Sequence, residues 1–423
     1  MKDNWTREPL GNSVKLQGGY AFSSNLFQES GIPLIRISNI SNNGIYKEFA
    51  YLPEEKAKFN KEFLLNENDI LIAMSGATTG KNCQISKDFL PALLNQRTGR
   101  FQVIDNEKIE NSYLAFIINS PEFQKLLLVD AIGGAQPNIS SRQIESIEVE
   151  LPPLPQQQKI AKILSTVDEV IEQTESAIAK YQAIKRGLIH DLFTRGIDVN
   201  TGKLRPTPQE APELYKESVL GLIPKEWEVE ELEVLCSEKP KYGINAAAVD
   251  YNNNLPTYFR ITDIDVNGDY SKTGRKSVDN PFSSQYYLKR GDIVFARTGA
   301  TVGKTYLYNE NDGPLVYAGF LIKVSPNINV LDSDFLKFLT ETNYYLNWVV
   351  VMSQRSGQPG INGAEFGSLK IPTPDIIEQE IISERLLIAL KKIQTEQQAL
   401  AKYQQLKAGL LQDLLTGKVE VLV

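Results

Sequence analysis

The chain has 423 residues, of which 42% are hydrophobic, so it can form two or three folded domains rather than one. Its formal net charge of −7 argues against a protein that binds nucleic acid by itself, because phosphate contacts need a basic surface. The two cysteines, Cys83 and Cys236, lie far apart in the sequence, which fits a reducing compartment. The sequence also shows no apolar leader and no membrane span. We therefore expect a cytoplasmic protein. Because His190 is the single histidine, a metal centre built from several histidines is excluded.

The first predicted domain covers residues 1–152. It contains short β-branched and aromatic runs separated by Gly, Asn and Pro, and a helical stretch over residues 112–129, which together indicate an α+β domain. Within it, GATTGK at residues 76–81 has three residues between its glycines, whereas a Walker A loop has four. We expect either a turn that offers backbone amides to DNA phosphate or a purely structural turn.

A long helix is predicted for residues 153–196. The proline-rich segment LPPLP at residues 151–155 suits a helix entrance, and apolar residues then recur at alternating intervals of four and three. This heptad seam consists of Ile160, Leu164, Val167, Ile171, Ile178, Tyr181, Leu188 and Leu192. Because an amphipathic helix has to bury its apolar stripe, the seam predicts a helical partner.

The second half of the chain repeats the first with an offset of about 222 residues. DILIAMSGATTGK at residues 69–81 returns as DIVFARTGATVGK at residues 292–304, and the order of the other repeated segments is kept. The predicted segments after the first helix are a linker at 197–218, a second α+β domain at 219–374, a second long helix at 375–416 and a tail at 417–423. The second seam consists of Ile382, Leu386, Ile393, Leu400, Tyr403, Leu410 and Leu414.

Two equivalent helices separated by a globular domain can pair antiparallel about a pseudo-twofold axis. We therefore predict an α+β protein in which two globular domains are joined by two long helices that form an antiparallel coiled coil. At about 1.5 Å per residue, a helix from Gln156 to Phe193 is about 55 Å long, which exceeds one DNA turn of about 34 Å. Domains held in this way can contact separated half-sites. The alternative is a duplicated coiled-coil scaffold that joins partner proteins without reading DNA.

The repeated motifs closely resemble those of the specificity subunits of type I restriction-modification systems. The resemblance covers almost the whole chain and is carried by GGYAFSS at 18–24, LPPLPQQQKIAKIL at 151–164, GLIHDLFTRGI at 187–197, IPKEWEV at 223–229, RTGATVGK at 297–304 and SGQPGI at 356–361. In that family two target-recognition domains alternate with two helical regions.

The resemblance implies a non-catalytic DNA-recognition subunit that binds double-stranded DNA and docks two methyltransferase subunits through its helices. Those subunits would transfer a methyl group from S-adenosylmethionine to adenine, and a translocating nuclease subunit can join them. S-adenosylmethionine, ATP and Mg are accordingly expected on the partner subunits and not on this chain. Because the chain is acidic, we expect strong DNA binding only in the complex with the methyltransferase.

Side chains that read bases are expected on the loops of the two globular domains, because arginine recognises guanine and asparagine or glutamine recognises adenine through paired hydrogen bonds. The candidates in the first domain are Arg36, Lys81, Asn82, Arg97 and Arg100. The candidates in the second domain are Arg260, Arg275, Arg297, Lys304 and Arg355.

Gly187 and Gly409 occupy equivalent positions inside the two predicted helices, where a glycine costs roughly 1 kcal/mol relative to alanine. We expect these glycines to permit close approach of the helices or docking of a methyltransferase subunit, and a tolerated neutral glycine is the alternative.

Overall fold

The computed structural model of the chain describes residues 4–42, 44–129, 137–354 and 358–422. These residues form two compact units: unit 1 comprises Met1–Glu175 and Gln398–Val423, and unit 2 comprises Ser176–Gln397. Within the described ranges, no helix is both long enough and apolar enough to cross a membrane.

Unit 1 is an α+β domain followed by part of a long helix. Its strands are β1 (Thr6–Pro9), β2 (Val14–Gly18), β3 (Ile32–Ile35), β4 (Ile40–Ser41), β5 (Gly44–Ile45), β6 (Ala50–Leu52), β7 (Ile70–Ala73), β8 (Asn82–Gln84), β9 (Leu93–Leu94), β10 (Thr98–Val103) and β11 (Glu148–Leu151). Its helices are α1 (Glu55–Phe59), α2 (Asn111–Asn119), α3 (Pro121–Val129), α4 (Ser141–Glu145) and the first part of α5 (Leu154–Thr194). The predicted helix over residues 112–129 is therefore two helices, because Pro121 cannot continue the hydrogen bonds of α2.

The central sheet of unit 1 has the order β2-β10-β7-β8 and is antiparallel throughout. A second sheet, β6-β3-β9, contains a parallel pair between β3 and β9. Strand β7 is apolar at every position because both of its faces are buried. Ile70 and Ile72 belong to a core shared with α2, and Leu71 and Ala73 belong to a core on the other face.

Unit 2 repeats this architecture. Its strands are β12 (Ile197–Asp198), β13 (Lys203–Leu204), β14 (Tyr215–Ser218), β15 (Gly221–Pro224), β16 (Glu228–Glu231), β17 (Cys236–Tyr242), β18 (Ala248–Asp250), β19 (Thr257–Phe259), β20 (Lys276–Val278), β21 (Ile293–Ala296), β22 (Thr305–Leu307), β23 (Leu315–Tyr317), β24 (Leu321–Pro326) and β25 (Lys370–Thr373). Its helices are the end of α5, α6 (Ser333–Leu339), α7 (Asn343–Met352), α8 (Gly363–Gly367) and the start of α9 (Ile376–Leu415). The sheet β17-β24-β21-β22 corresponds to the central sheet of unit 1.

Each long helix is fastened to its domain by one completely buried glutamine in its first turns. In unit 1, Gln157 donates to the carbonyls of Lys108 and Pro152 at 2.7 and 2.8 Å and accepts from the backbone N–H of Glu110 at 3.0 Å. In unit 2, Gln379 makes the equivalent three bonds, to the carbonyls of Val330 and Pro374 and from the N–H of Asp332. The second junction has the same hydrogen bonds as the first although its sequence has fewer prolines.

The two long helices run in opposite directions in each unit, as predicted. In unit 1, Leu164 near the start of α5 shares a core with Leu414 near the end of α9, and Lys407 pairs with Asp168 at 2.5 Å. In unit 2, Leu192 near the end of α5 shares a core with Ile382 near the start of α9. None of the predicted seam residues of either helix is exposed.

The segment 197–218, predicted as a linker, forms part of unit 2. It contributes β12, β13 and β14, and it supplies Arg205, which is buried together with Glu378 of α9. The guanidinium of Arg205 donates to Glu378 at 2.5 and 3.0 Å, and the indole N–H of Trp227 donates to the same carboxylate at 3.1 Å. This buried cluster ties the segment to the first turn of α9.

Candidate nucleic-acid interface

The Gly-Ala-Thr motif forms the same turn in both units. It follows the end of the central strand as a 3-10 turn, Gly76–Thr78 after β7 and Gly299–Thr301 after β21. Gly303 closes the second turn with a φ of +84°, and a Cβ there would lie 2.5 Å from Cγ1 of Val349, so only glycine fits. The motif therefore has a structural reason for its glycines, in accordance with the failed Walker A spacing.

Two other segments bracket this turn through backbone hydrogen bonds. In unit 1, the N–H of Met74 donates to the carbonyl of Arg97 at 2.8 Å, and the N–H of Ile139 donates to the carbonyl of Met74 at 2.9 Å. In unit 2, the N–H of Arg297 donates to the carbonyl of Phe320 at 3.0 Å, and the N–H of Ile361 donates to the carbonyl of Arg297 at 2.8 Å. The Gly-Ala-Thr turn and the Pro-x-Ile segment, residues 137–139 in unit 1 and 359–361 in unit 2, therefore meet at one edge of each unit, although they lie about 60 residues apart in the sequence.

A second 3-10 turn carries an arginine at the same position in both units. Arg36 precedes the turn Ile37–Asn39, and its Nε is buried without a hydrogen-bond partner among the described residues. Arg260 precedes the turn Ile261–Asp263, and its guanidinium donates twice to the carboxylate of Asp263, at 3.0 and 2.7 Å. These hydrogen bonds to Asp263 raise the pKa of Arg260. The two arginines are therefore positioned alike and paired differently.

In unit 2, Arg260 and Arg297 line the same cleft, which has a volume of about 680 Å³. The guanidinium of Arg297 lies 4.9 Å from the centre of the Tyr242 ring, and its Nε is buried with no partner in the described part of the chain. Phe320 also lines the cleft and leaves 58% of its surface exposed. The cleft thus combines an oriented cation with exposed aromatic surface, which suits nucleic-acid binding.

Two of the predicted DNA contacts, Arg100 and Asn82, are buried in the protein instead. Arg100 is 5% exposed and donates to the carboxylate of Asp69 at 3.0 Å, to Gln17 and to two backbone carbonyls. In unit 2, Lys323 holds the place of Arg100 and pairs with Asp292 at 3.6 Å, so this ion pair is a structural element of both units. The prediction for Arg100 is wrong because its guanidinium is already saturated by the protein.

The second correction concerns Asn82, and Lys304 is half-buried. Asn82 is 1% exposed in β8 and cannot reach a ligand in the solvent. The ammonium of Lys304 lies 3.5 and 3.3 Å from the carbonyls of Ile264 and Asp265. An ammonium has three donors, so Lys304 stays a predicted DNA contact.

The remaining candidates among the described residues lie on loops. Lys81 and Arg97 are exposed in unit 1, and Arg97 has a φ of +65°. Arg275 is exposed in unit 2, and its guanidinium lies 4.4 Å from the centre of the Tyr251 ring. Arg355 lies outside the described residues. Sequence reasoning missed Tyr242 and Phe320, because the search for base-reading side chains covered basic and amide residues and no aromatic ones.

Comparison with known proteins agrees with this duplicated arrangement. The family model described as the type I restriction modification DNA specificity domain matches the chain twice, over residues 2–181 and 224–405. The chain belongs to this family. It is 27% identical to the type I restriction enzyme MjaVIII specificity subunit of Methanocaldococcus jannaschii over 380 residues, which cover 86% of this chain and 81% of that protein. It is 23% identical to the EcoBI specificity subunit of Escherichia coli, with coverage of 91% and 79%.

Among solved structures, the chain resembles the crystal structure of the type I restriction-modification S subunit from M. genitalium. The TM-score is 0.63 at 16% identity, and the match covers 97% of this chain and 96% of that one. A chain from a structure of complex assembly in a type I R-M system matches with a TM-score of 0.54, also at 16% identity, over 98% of both chains. At this identity the likeness concerns the fold.

Proposed function

We propose that this chain is the DNA-specificity subunit of a type I restriction-modification complex, in which each unit reads one half of a bipartite DNA site. The observation that carries the proposal is the duplicated edge at which the Gly-Ala-Thr turn, the Pro-x-Ile segment and an arginine-bearing turn meet. Both units present guanidinium groups there, from Arg36 and Arg97 in unit 1 and from Arg260 and Arg297 in unit 2. Membership in the family of type I DNA specificity domains supports the same conclusion.

The catalytic steps are assigned to partner subunits. Methylation of adenine would be carried out by two methyltransferase subunits that bind S-adenosylmethionine, and translocation or cleavage by subunits that use ATP and Mg. The chain itself has the role of positioning these subunits on DNA in the cytoplasm. A duplicated scaffold without DNA recognition is not favoured, because both family matches span the globular domains that a scaffold would not need.

The first test is single-molecule sequencing for N6-methyladenine in cells that carry this chain with the methyltransferase encoded beside it. We expect a split DNA motif with an unread spacer that disappears when this chain is deleted. Replacing residues 219–375 with the equivalent segment of a relative should change one half of the motif and leave the other half intact. A methyltransferase that assembles with the chain but methylates without any motif would contradict the proposal.

We also infer that the long helices dock the methyltransferase subunits near Gly187 and Gly409. Both glycines are exposed, and apart from the adjoining backbone of its own helix a Cβ at either position would meet no described atom within 4 Å. The expectation that they permit close approach of the two helices is therefore wrong. Each glycine costs roughly 1 kcal/mol of helix stability without serving this chain's own packing, which favours an external partner.

Replacing both glycines with leucine tests the docking. Bulky side chains at a docked surface should reduce the fraction of this chain that elutes with the methyltransferase in gel filtration. The matched control is replacement of both with alanine, which adds only a methyl group and favours the helix. Complex formation by the leucine variant equal to that of the alanine variant would refute docking at this place.

A further inference from the structure

Each unit contains an equivalent pair of residues joined by a backbone hydrogen bond, one cationic and one apolar. The two units place the cation on opposite members of this pair. In unit 1 the N–H of an apolar residue, Met74, donates to the carbonyl of an exposed cation, Arg97. In unit 2 the N–H of a cation, Arg297, donates to the carbonyl of an exposed apolar residue, Phe320. The backbone is the same in both, so packing of the fold does not require the cation on either side.

Arg297 is held in one orientation without being neutralised. Its guanidinium lies over the Tyr242 ring, and the hydroxyl of Tyr242 accepts from the N–H of Gly363 at 2.9 Å, which fixes the ring. No carboxylate pairs with Arg297 among the ion pairs of the described residues. A guanidinium that is stacked and unpaired keeps its two terminal nitrogens available in a defined plane.

Arg260 supplies the contrast within the same cleft. Its Nε and Nη2 donate to Asp263, and Nη2 also donates to the carbonyl of Gly274 at 3.1 Å. Of the two arginines that line the cleft, Arg297 is therefore the one whose guanidinium has no carboxylate partner among the described residues. Phe320 next to it offers a broad apolar surface, which suits contact with a base rather than with a phosphate.

We propose that Arg297 reads a guanine in the half-site bound by unit 2, through paired hydrogen bonds to O6 and N7, and that Tyr242 orients it for this contact. An arginine that reaches a guanine edge in a fixed plane is the commonest specific contact in the major groove. This inference rests on the proposed function, because it names the base contact that gives one half-site its sequence. Arg297 acts as the specificity-determining residue and Tyr242 as a positioning residue.

The test compares the methylated motifs of complexes that contain the full chain as wild type, Arg297→Lys, Arg297→Met or Arg290→Lys. Arg290 is an exposed arginine at the opposite end of β21 and does not line the cleft, so it is the matched control. Both Arg297 variants should lose preference for guanine at one position of one half-site, by about 5- to 150-fold. The other half-site and the motif of the control should stay as in the wild type.

Tyr242→Leu removes the ring beneath Arg297 and should weaken the same guanine preference without changing any other position. The inference is overturned if the wild type has a split motif and both Arg297 variants reproduce it unchanged. Loss of all methylation by both Arg297 variants also overturns it, since a single base contact controls one position and not the whole site. A wild-type complex that shows no motif at all refutes the proposed function, and the inference falls with it.

If Arg297→Met alone abolishes methylation, Arg297→Lys decides. Lysine keeps the charge but cannot form the planar pair of hydrogen bonds, so a relaxed guanine position supports the inference. An unaltered motif in the lysine variant overturns it.

Discussion

In unit 1, Asn39 closes the 3-10 turn by donating its amide to the carbonyls of Tyr46 and Glu48, at 3.0 Å each. In unit 2, Asp263 closes the equivalent turn and accepts from the guanidinium of Arg260. An amide in one repeat and a carboxylate in the other thus decide whether the preceding arginine is paired. The comparison teaches that the two units keep one backbone and distribute their available cations over different loops.

The largest expected difference between the units lies at the start of α9. Replacing Glu378 with alanine removes the main partner of the buried Arg205, which should destabilise the chain by about 3–5 kcal/mol in urea unfolding followed by tryptophan fluorescence. The equivalent position in α5 is Gln156, which has no ion pair among the described contacts, and Gln156→Ala should stay within about 0.5 kcal/mol of the wild type. Equal losses in the two variants would show that the buried pair does not distinguish the units.

The second prediction concerns the cation of an ion pair present in both units, which is Arg100 with Asp69 in unit 1 and Lys323 with Asp292 in unit 2. Arg100→Met leaves Asp69 without its cation and should cost about 2–3 kcal/mol of unfolding free energy, while Arg100→Lys, which copies Lys323 of unit 2, should cost less. The methylated motif should be the same in the lysine variant and the wild type. A changed half-site with unchanged stability would restore Arg100 as a DNA contact.

The third difference is the turn itself. Asn39→Asp gives unit 1 the residue of unit 2, but it faces the new carboxylate toward the carbonyls of Tyr46 and Glu48 and removes two buried hydrogen bonds. We expect a loss of about 1–3 kcal/mol in thermal or chemical unfolding. Asn39→Ser, which keeps a small polar donor, is the control, and it should be less destabilising than aspartate. The reverse order would mean that Arg36 pairs with the new carboxylate and compensates for the lost bonds.

The smallest expected effect is a dependence on pH that comes from one carboxylate of unit 2, Glu238. Hydrogen bonds from Lys241 and Lys323 lower the pKa of Glu238 from 4.5 to about 2. The equivalent strand position of unit 1 is occupied by Lys15, which has no carboxylate. Because the pKa is lower in the folded state, the stabilisation is complete above pH 4.5 and is lost as the pH falls toward 2.

Glu238→Gln should therefore be less stable than the wild type at pH 7, and the two should converge near pH 2. The side chain of Glu238 is 32% exposed. Solvent screening thus limits the difference to about 1 kcal/mol or less. Unfolding curves at several pH values measure it, and a difference that persists unchanged to pH 2 would contradict the assignment to this carboxylate.

The helices and the duplicated fold could be predicted from the sequence because they follow from periodicity. Apolar spacing identifies a seam such as Leu164 and Leu192 without knowledge of any partner, and the repeat then implies a second helix. The base-reading loops could not be predicted in the same way. Arg100 and Arg297 are both basic residues beside apolar strands in the sequence, and only the fold shows that one meets Asp69 and the other meets Tyr242.

The repeat nevertheless contained a usable signal. Arg100 and Lys323 are both cations with an aspartate 31 residues earlier in the chain, which is the pattern of a structural pair present in both repeats. Met74 and Arg297, in contrast, differ in charge at equivalent positions of a repeated motif whose other charged residues, an aspartate and a lysine at its two ends, are the same in both repeats. In a duplicated reader of two different sequences, positions that differ within a repeated motif are the better candidates for base contacts.

The buried glutamines at the two helix entrances bond to backbone atoms alone, to two carbonyls and one N–H in each unit. Since every residue other than proline supplies the same backbone groups, the domain side of this joint places almost no demand on side-chain identity. The loops of either domain can accumulate substitutions, or the whole domain can be replaced during evolution, while the helix remains attached in the same way. New specificities can therefore arise without a matching change in the helices.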